Sequence, residues 1–184
     1  GETDPESADR EEFVSLINRS ADNLMALIND IIDIAKIESG HMVIEKKAVD
    51  IMELMDGVYK TFNKRVETEC NGLVKLNYRV PLYTPQKVLV DADPLRLLQI
   101  FNNLLDNAIK FTHKGHIELG FEQPANNRIK FFVRDTGIGI SSENQNMIFE
   151  AFRQEEETPS KKYGGTGLGL TICKKLTEAM GGSI

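Results

Sequence analysis

The spacing of apolar residues changes several times along this 184-residue chain. From Ala8 to about Ser39, Phe13, Leu16, Ile17, Leu24, Leu27, Ile28, Ile31, Ile34 and Ala35 recur at intervals of three and four, broken only at Ser20. That is the stripe of one long amphipathic helix. An acidic, polar stretch with Pro5 reads as a loop before it, and Gly40 stops it as a C-cap residue. A helix of roughly 30 residues with so one-sided a face calls for partner helices, from a hairpin arm, a second copy of the chain, or both.

After Gly40 the pattern becomes mixed. His41 to Val49 alternates weakly, as an edge strand does. Ile51, Leu54, Met55, Val58, Phe62 and Val66 mark a second amphipathic helix. Val74 to Val80 alternates with period two, Pro81 to Pro85 breaks it, and Val88 to Val90 reads as a short buried strand. Asp93 as N-cap and Pro94 in the first turn open a helix that runs to Phe111. Ile117–Glu122 and Arg128–Arg134 form two strands around a turn at 124–127, Ser141 caps a short helix through Phe149, and Leu168–Met180 is the last helix. This order predicts an α/β fold in two parts, a helical segment over 1–45 and a mixed domain over 46–184.

Composition narrows the classes. With 41% hydrophobic and 27% charged residues the chain can build a core. Its net charge of −6 and the lack of a basic stripe argue against nucleic acid as a partner. Cys70 and Cys173 make no C-x-x-C pair, which speaks for a reducing compartment and against a zinc site. No apolar run is long enough to span a membrane.

Three stretches carry candidate chemistry. In Gly164-Gly165-Thr166-Gly167-Leu168-Gly169-Leu170, glycines lead directly into a helix. Backbone N–H groups there can approach an anion closely, and the helix N-terminus adds orphan donors. On the helix from Pro94, Asn103, Asn107 and Lys110 stand at i, i+4 and i+7, beside the apolar Leu104, Leu105, Ala108 and Ile109. Amide oxygens suit a hard cation such as Mg²⁺, and a lysine offers a point charge for phosphate. Asp135 ends an apolar strand just before the glycine turn Gly137-Ile138-Gly139-Ile140, where its carboxylate is placed to accept a hydrogen bond from a purine amino group. Each stretch also has an ordinary structural reading, as a flexible loop, a solvated helix face and a strand-ending turn.

Read together, these stretches resemble the motifs of sensor histidine kinases. Asn103 to Thr112 resembles their asparagine box, Asp135 to Ile140 their first glycine box, Ile148 to Gln154 their phenylalanine box, and Gly165 to Leu170 their second glycine box. Asn29 to Gly40 is similar to the end of the second helix of their dimerisation and phosphoacceptor hairpin. The resemblance covers nearly the whole chain.

It implies an α/β sandwich of the Bergerat ATP-binding type, a mixed sheet with helices on one face and a lid over ATP. It implies that Asn107 ligates Mg²⁺, that Asn103 and Lys110 support the phosphates, and that Asp135 reads adenine. Gly137, Gly139 and Ile140 would shape the base pocket, and Gly165, Thr166, Gly167, Leu168 and Gly169 would form the phosphate loop. Arg153 to Gly164 would be the lid, anchored by Phe152. The implied partners are a second copy through the N-terminal helix and the receiver domain of a response regulator. The kinase portion would be cytoplasmic, in a parent protein that the resemblance allows to be membrane-anchored.

Two departures stand out. The family's phosphoacceptor His, followed by an acidic residue and Arg-Thr-Pro, has no counterpart in the contexts of His41, His113 or His116. Family members also continue past Gly181-Gly182-Ser183-Ile184 with a final pair of strands. Two other classes compete with the kinase reading. One is a pseudokinase-like module that binds nucleotide to organise a dimer. The other is a GHKL ATPase, but such enzymes place a glutamate base one helical turn before the metal-binding Asn, where this chain has Asn103, which cannot take a proton.

Overall fold

A computed structural model describes residues 5–82, 84–123, 128–145, 147–151 and 167–184. The chain divides into two compact units between Met42 and Val43.

The first unit is helix α1, Pro5–Glu38. It begins a few residues before the expected Ala8, with Pro5 in the first turn, where a missing N–H costs nothing. Its stop is the one expected. Gly40 takes φ +70°, its N–H donates to the Ile37 carbonyl at 3.1 Å, and His41 N–H donates to the Lys36 carbonyl at 2.9 Å. Those two bonds are a Schellman closure, which needs a residue tolerant of left-handed backbone. Phe13, Leu16, Ile17, Leu24, Ile28 and Ile31 of the apolar stripe are all exposed.

The second unit runs β1 (Lys47–Asp50), α2 (Ile51–Glu69), β2 (Val74–Arg79), β3 (Leu89–Ala92), α3 (Pro94–Phe111), β4 (Gly115–Glu122), β5 (Lys130–Asp135) and α4 (Gly169–Ala179). β4 is central to a mixed three-stranded sheet, parallel to β2 and antiparallel to β5. Its alternation decides the layers. Ile117, Leu119 and Phe121 are buried on one face, in a core with Met55, Val58 and Phe62 of α2 and Phe101 and Leu105 of α3. Phe101 meets the β5 side chain Phe131 edge-on at 5.4 Å, a favoured aromatic geometry. On the other face, Arg79, Glu118, Arg134, Glu122 and Lys130 form cross-strand ion pairs. These are partly exposed, so each contributes under about 1 kcal/mol. The core face carries the stability.

Two expectations are corrected. The strand expected over His41–Val49 is only Lys47–Asp50. The amides before it are taken locally or by a side chain: His41 and Met42 donate to the Lys36 carbonyl, and Glu45 donates to the Asp93 carboxylate. β1 pairs with β3 in a separate antiparallel ribbon rather than in the larger sheet. The helix expected from Ser141 to Phe149 is a series of single turns. Among the described residues the bonds accept at Ser141, Asn144 and Met147 in succession, without a continuous ladder. Ser, Glu and Asn in this stretch compete for backbone partners, and no apolar stripe overrides them. The turn expected at 124–127 lies outside the described residues.

Candidate functional site

The site is built on α3. Asp93 fixes its start: Oδ1 accepts from Leu95 N–H at 3.0 Å and Arg96 N–H at 3.3 Å, with Pro94 in the first turn. Leu97, Phe101, Leu105 and Ala108 then bury one stripe. Helical periodicity turns Asn103, Asn107 and Lys110 onto a neighbouring strip, where all three are half-buried. Asn103 Nδ2 donates to the Gly169 carbonyl at 3.4 Å, the first residue of α4. The Asn107 amide makes no hydrogen bond among the described residues, which leaves its oxygen open to a ligand. The Lys110 ammonium lies 4.8 Å from the centre of the Phe111 ring, and burial pushes its pKa down.

The Asp135 turn leans on the far end of the same helix. Asp135 Oδ1 accepts from Gly137 N–H at 2.8 Å, and Ile138 N–H donates to the Phe111 carbonyl at 3.3 Å. That carbonyl is one of the orphans at the end of α3. Gly137 is required by space: a Cβ there would stand 2.3 Å from the Phe111 oxygen. Gly139 is required by conformation, at φ +71°. One oxygen of Asp135 is thus spent on the turn. The other, Oδ2, accepts nothing among the described residues, and the group is exposed. Ile138 and Ile140 beside it are exposed apolar side chains.

α4 supplies the third wall. Gly167 takes φ +69°, Leu168 is fully buried, and no side chain caps the helix. The first free donor of the helix to find an intrahelical partner is Ile172 N–H, bonded to the Leu168 carbonyl at 2.9 Å. Among the described residues the N–H groups of Gly169, Leu170 and Thr171 ahead of it find no partner, and such orphans are of the kind that bind anions. Thr171 in this first turn, and Thr112 at the end of α3, each bury a hydroxyl oxygen without a partner among the described residues. Neither was singled out for a role in the sequence, because burial of a threonine leaves no local signature.

The structure therefore brings Asn103, Asn107, Lys110, Asp135, Gly137 and Gly139 together around α3, and joins Gly169 to them through Asn103. Gly167 and Leu168 lead into that helix. Phe152, Arg153, Gly165 and Thr166, and the expected lid, lie outside the described residues.

The profile described as "Histidine kinase-, DNA gyrase B-, and HSP90-like ATPase" matches residues 92–184, from the end of β3 through α3, the glycine turn and α4. The chain belongs to this family. Its relatives are histidine kinases. It is 40% identical over 177 residues to the signal transduction histidine-protein kinase BarA of Escherichia coli (strain K12), covering 94% of this chain and 19% of that protein. The same values relate it to the sensor protein GacS of Pseudomonas syringae pv. syringae. The chain thus spans about a fifth of the length of these curated relatives. Among solved structures, full-length ShkA in complex with AMPPNP matches with a TM-score of 0.78 and 32% identity, over 94% of this chain and 34% of that one. The α/β architecture is accordingly that of a histidine kinase catalytic domain, and the chain is an ATP-binding domain of this kind.

Lys110 gives a test of what the site costs the fold. Burial holds its pKa below the ordinary 10.5, so the charged form is disfavoured by folding. Between the folded and unfolded pKa values the unfolded chain binds more protons, and stability rises with pH through that window. Lys110→Met should therefore leave the ligand-free domain as stable as the wild type or more so at neutral pH, with the difference shrinking toward pH 10. Thermal unfolding across that range checks it; a variant markedly less stable at neutral pH contradicts it.

Proposed function

We propose that the strip on α3, the Asp135 turn and the uncapped start of α4 form one Mg-ATP site. The observation that carries this reading is the uncommitted Asn107 amide, set on α3 between Asn103, which reaches α4, and Phe111, which holds the Asp135 turn. Asn107 Oδ1 would ligate Mg²⁺. Among the described residues no cluster of three or more His, Cys, Asp or Glu exists to cage a metal. That suits a cation that usually takes one or two protein oxygens and completes its shell with phosphates and water. Bound Mg²⁺ would neutralise phosphate charge. Lys110 and Asn103 would hold phosphate oxygens, and the amides of Gly165 to Gly169, with Thr166 among them, would receive the rest. Asp135 Oδ2 would accept from the adenine amino group, with Gly137, Gly139 and Ile140 around the base. Phe152 and Arg153 would frame the lid.

Asp135→Asn separates base reading from turn building, because an asparagine oxygen can still accept from Gly137 N–H. Calorimetry with Mg-ATP should show a loss of about 1.5–3 kcal/mol, the worth of a charge-assisted hydrogen bond. Equal binding by the variant would remove Asp135 from the base pocket.

In the whole protein this site would serve transfer of the γ-phosphoryl group of ATP to a histidine and then to the aspartate of a response-regulator receiver domain. Catalysis of that kind is mostly positioning and electrostatics, so the acceptor must come in line with the γ-phosphate. His41 follows α1, His113 lies between α3 and β4, and His116 is on β4; none matches the acceptor context. Hydrolysis by water is the weaker reading, since Asn103 is an amide tied to Gly169 rather than a base. With γ-labelled ATP, a supplied helix bearing an acceptor histidine should take label that is stable to base and labile to acid. Label of that kind on this chain alone would make one of its three histidines the acceptor.

The exposed stripe of α1 is proposed as the surface that pairs with helices of a second copy. Leu24 and Ile31, 58% and 50% exposed, lie on it. Light scattering should show a self-associating wild type and a monomeric Leu24→Glu plus Ile31→Glu variant. A wild type that stays monomeric at high concentration overturns the pairing.

A further inference from the structure

The Asp93 carboxylate does more than cap α3. Only 5% of the residue is exposed, and both oxygens are occupied by backbone donors. Oδ1 takes the Leu95 and Arg96 amides, while Oδ2 takes Glu45 N–H at 3.0 Å. The next residue, Lys46, extends to the other helix of the site: its Nζ donates to the Met180 carbonyl at 3.0 Å, at the C-cap of α4. Two consecutive residues thus hold the start of α3 and the end of α4. The β1–β3 ladder fixes them from behind, with Lys47 opposite Ala92.

The helices run antiparallel in constant register from this point. Cys173 Sγ lies 3.8 Å from the Ile100 carbonyl midway along, and Asn103 Nδ2 reaches the Gly169 carbonyl at the other end. From Asp93 to Asn103 is about 15 Å of helix, and from Gly169 to Met180 about 16 Å. The two lengths match, so the helices act as struts bridged at one end by Glu45–Lys46 and at the other by Asn103–Gly169. Sliding one along the other would change the distance between the amides of α3 and the orphan N–H groups of α4.

We infer that the Glu45–Lys46 clamp sets the axial position of α3 against α4, which makes Asp93 and Lys46 positioning residues for the nucleotide. The inference rests on the Mg-ATP reading of the site. Neither residue reaches the ligand: each acts from the opposite ends of the helices that do.

Lys46→Met keeps the aliphatic stem and removes the donor, and its exposed position makes it compatible with folding. Calorimetry with Mg-AMPPNP should show about fivefold weaker binding, at the low end of coupling between distant sites. In the ligand-free protein, the Gly169 backbone amide and the Asn103 side-chain amide should shift in NMR spectra, about three helical turns from the substitution. Lys47→Met, the neighbouring lysine on β1, should change neither readout. Asp93→Asn keeps an oxygen for the helix cap while presenting an N–H group to Glu45, and should act in the same direction as Lys46→Met. Unchanged affinity in folded Lys46→Met, or an equal effect of Lys47→Met, overturns the inference, as does a shift at Gly169 without a change in affinity. A wild type that fails to bind Mg-AMPPNP would remove the nucleotide reading itself, and the Gly169 signal would then decide the clamp on its own.

Discussion

The structure depends on burial of one stripe of α3 in the core it shares with the sheet and α2. Leu105, Ile117 and Leu119 have no exposed surface, and Phe101 and Phe121 are nearly as enclosed. Side chains of this size contribute about 1.5–3 kcal/mol each when fully buried. Because the helix repeats every 3.6 residues, fixing that stripe also fixes what lies beside it. Asn103, Asn107 and Lys110 cannot rotate away from the site without withdrawing Phe101 and Leu105 from the sheet. The chemistry is held in place by packing that takes no part in it.

The two other walls attach to α3 through groups that its geometry leaves open. Its last carbonyls lack intrahelical partners, and the glycine turn after β5 uses the one at Phe111. Its middle presents an amide that reaches the start of α4. Arg65 of α2 adds an ion pair to Asp106 on the outer side of α3, at 2.6 Å and largely exposed, so it is a weak brace. The site is therefore assembled around one helix by its unsatisfied ends and its polar strip, while the apolar stripe bears the load of folding.

What the sequence made legible follows from how local each signal is. α3 was readable from end to end because a cap, a proline and a regular stripe all act within one segment, and β4 because its alternation is uninterrupted. Gly40 was readable because a left-handed helix stop favours glycine above other residues. The short span of β1 was not, since the amides before it turn back to the Lys36 carbonyl or, at Glu45, go to Asp93, distant in the chain. The turns after Ser141 misled because a good capping residue promises a helix only if an apolar stripe follows. Of the site, the residue types and their helical spacing were legible. The second carboxylate bond of Asp93, the tie from Asn103 to Gly169, and the unpartnered hydroxyls of Thr112 and Thr171 were not, since each arises only when separate elements meet.

The uncapped beginning of α4 carries a conflict between two demands on one position. Leu168 stands where Ser, Thr, Asp or Asn would satisfy the open amides, and it is wholly buried instead. A capping side chain there would steady the helix, yet in the proposed site it would put an oxygen where an anion's oxygen would go, and it would withdraw a leucine from the interior. If the proposed site holds, affinity for an anion and self-sufficiency of the helix are alternatives at residue 168, and the leucine favours the first.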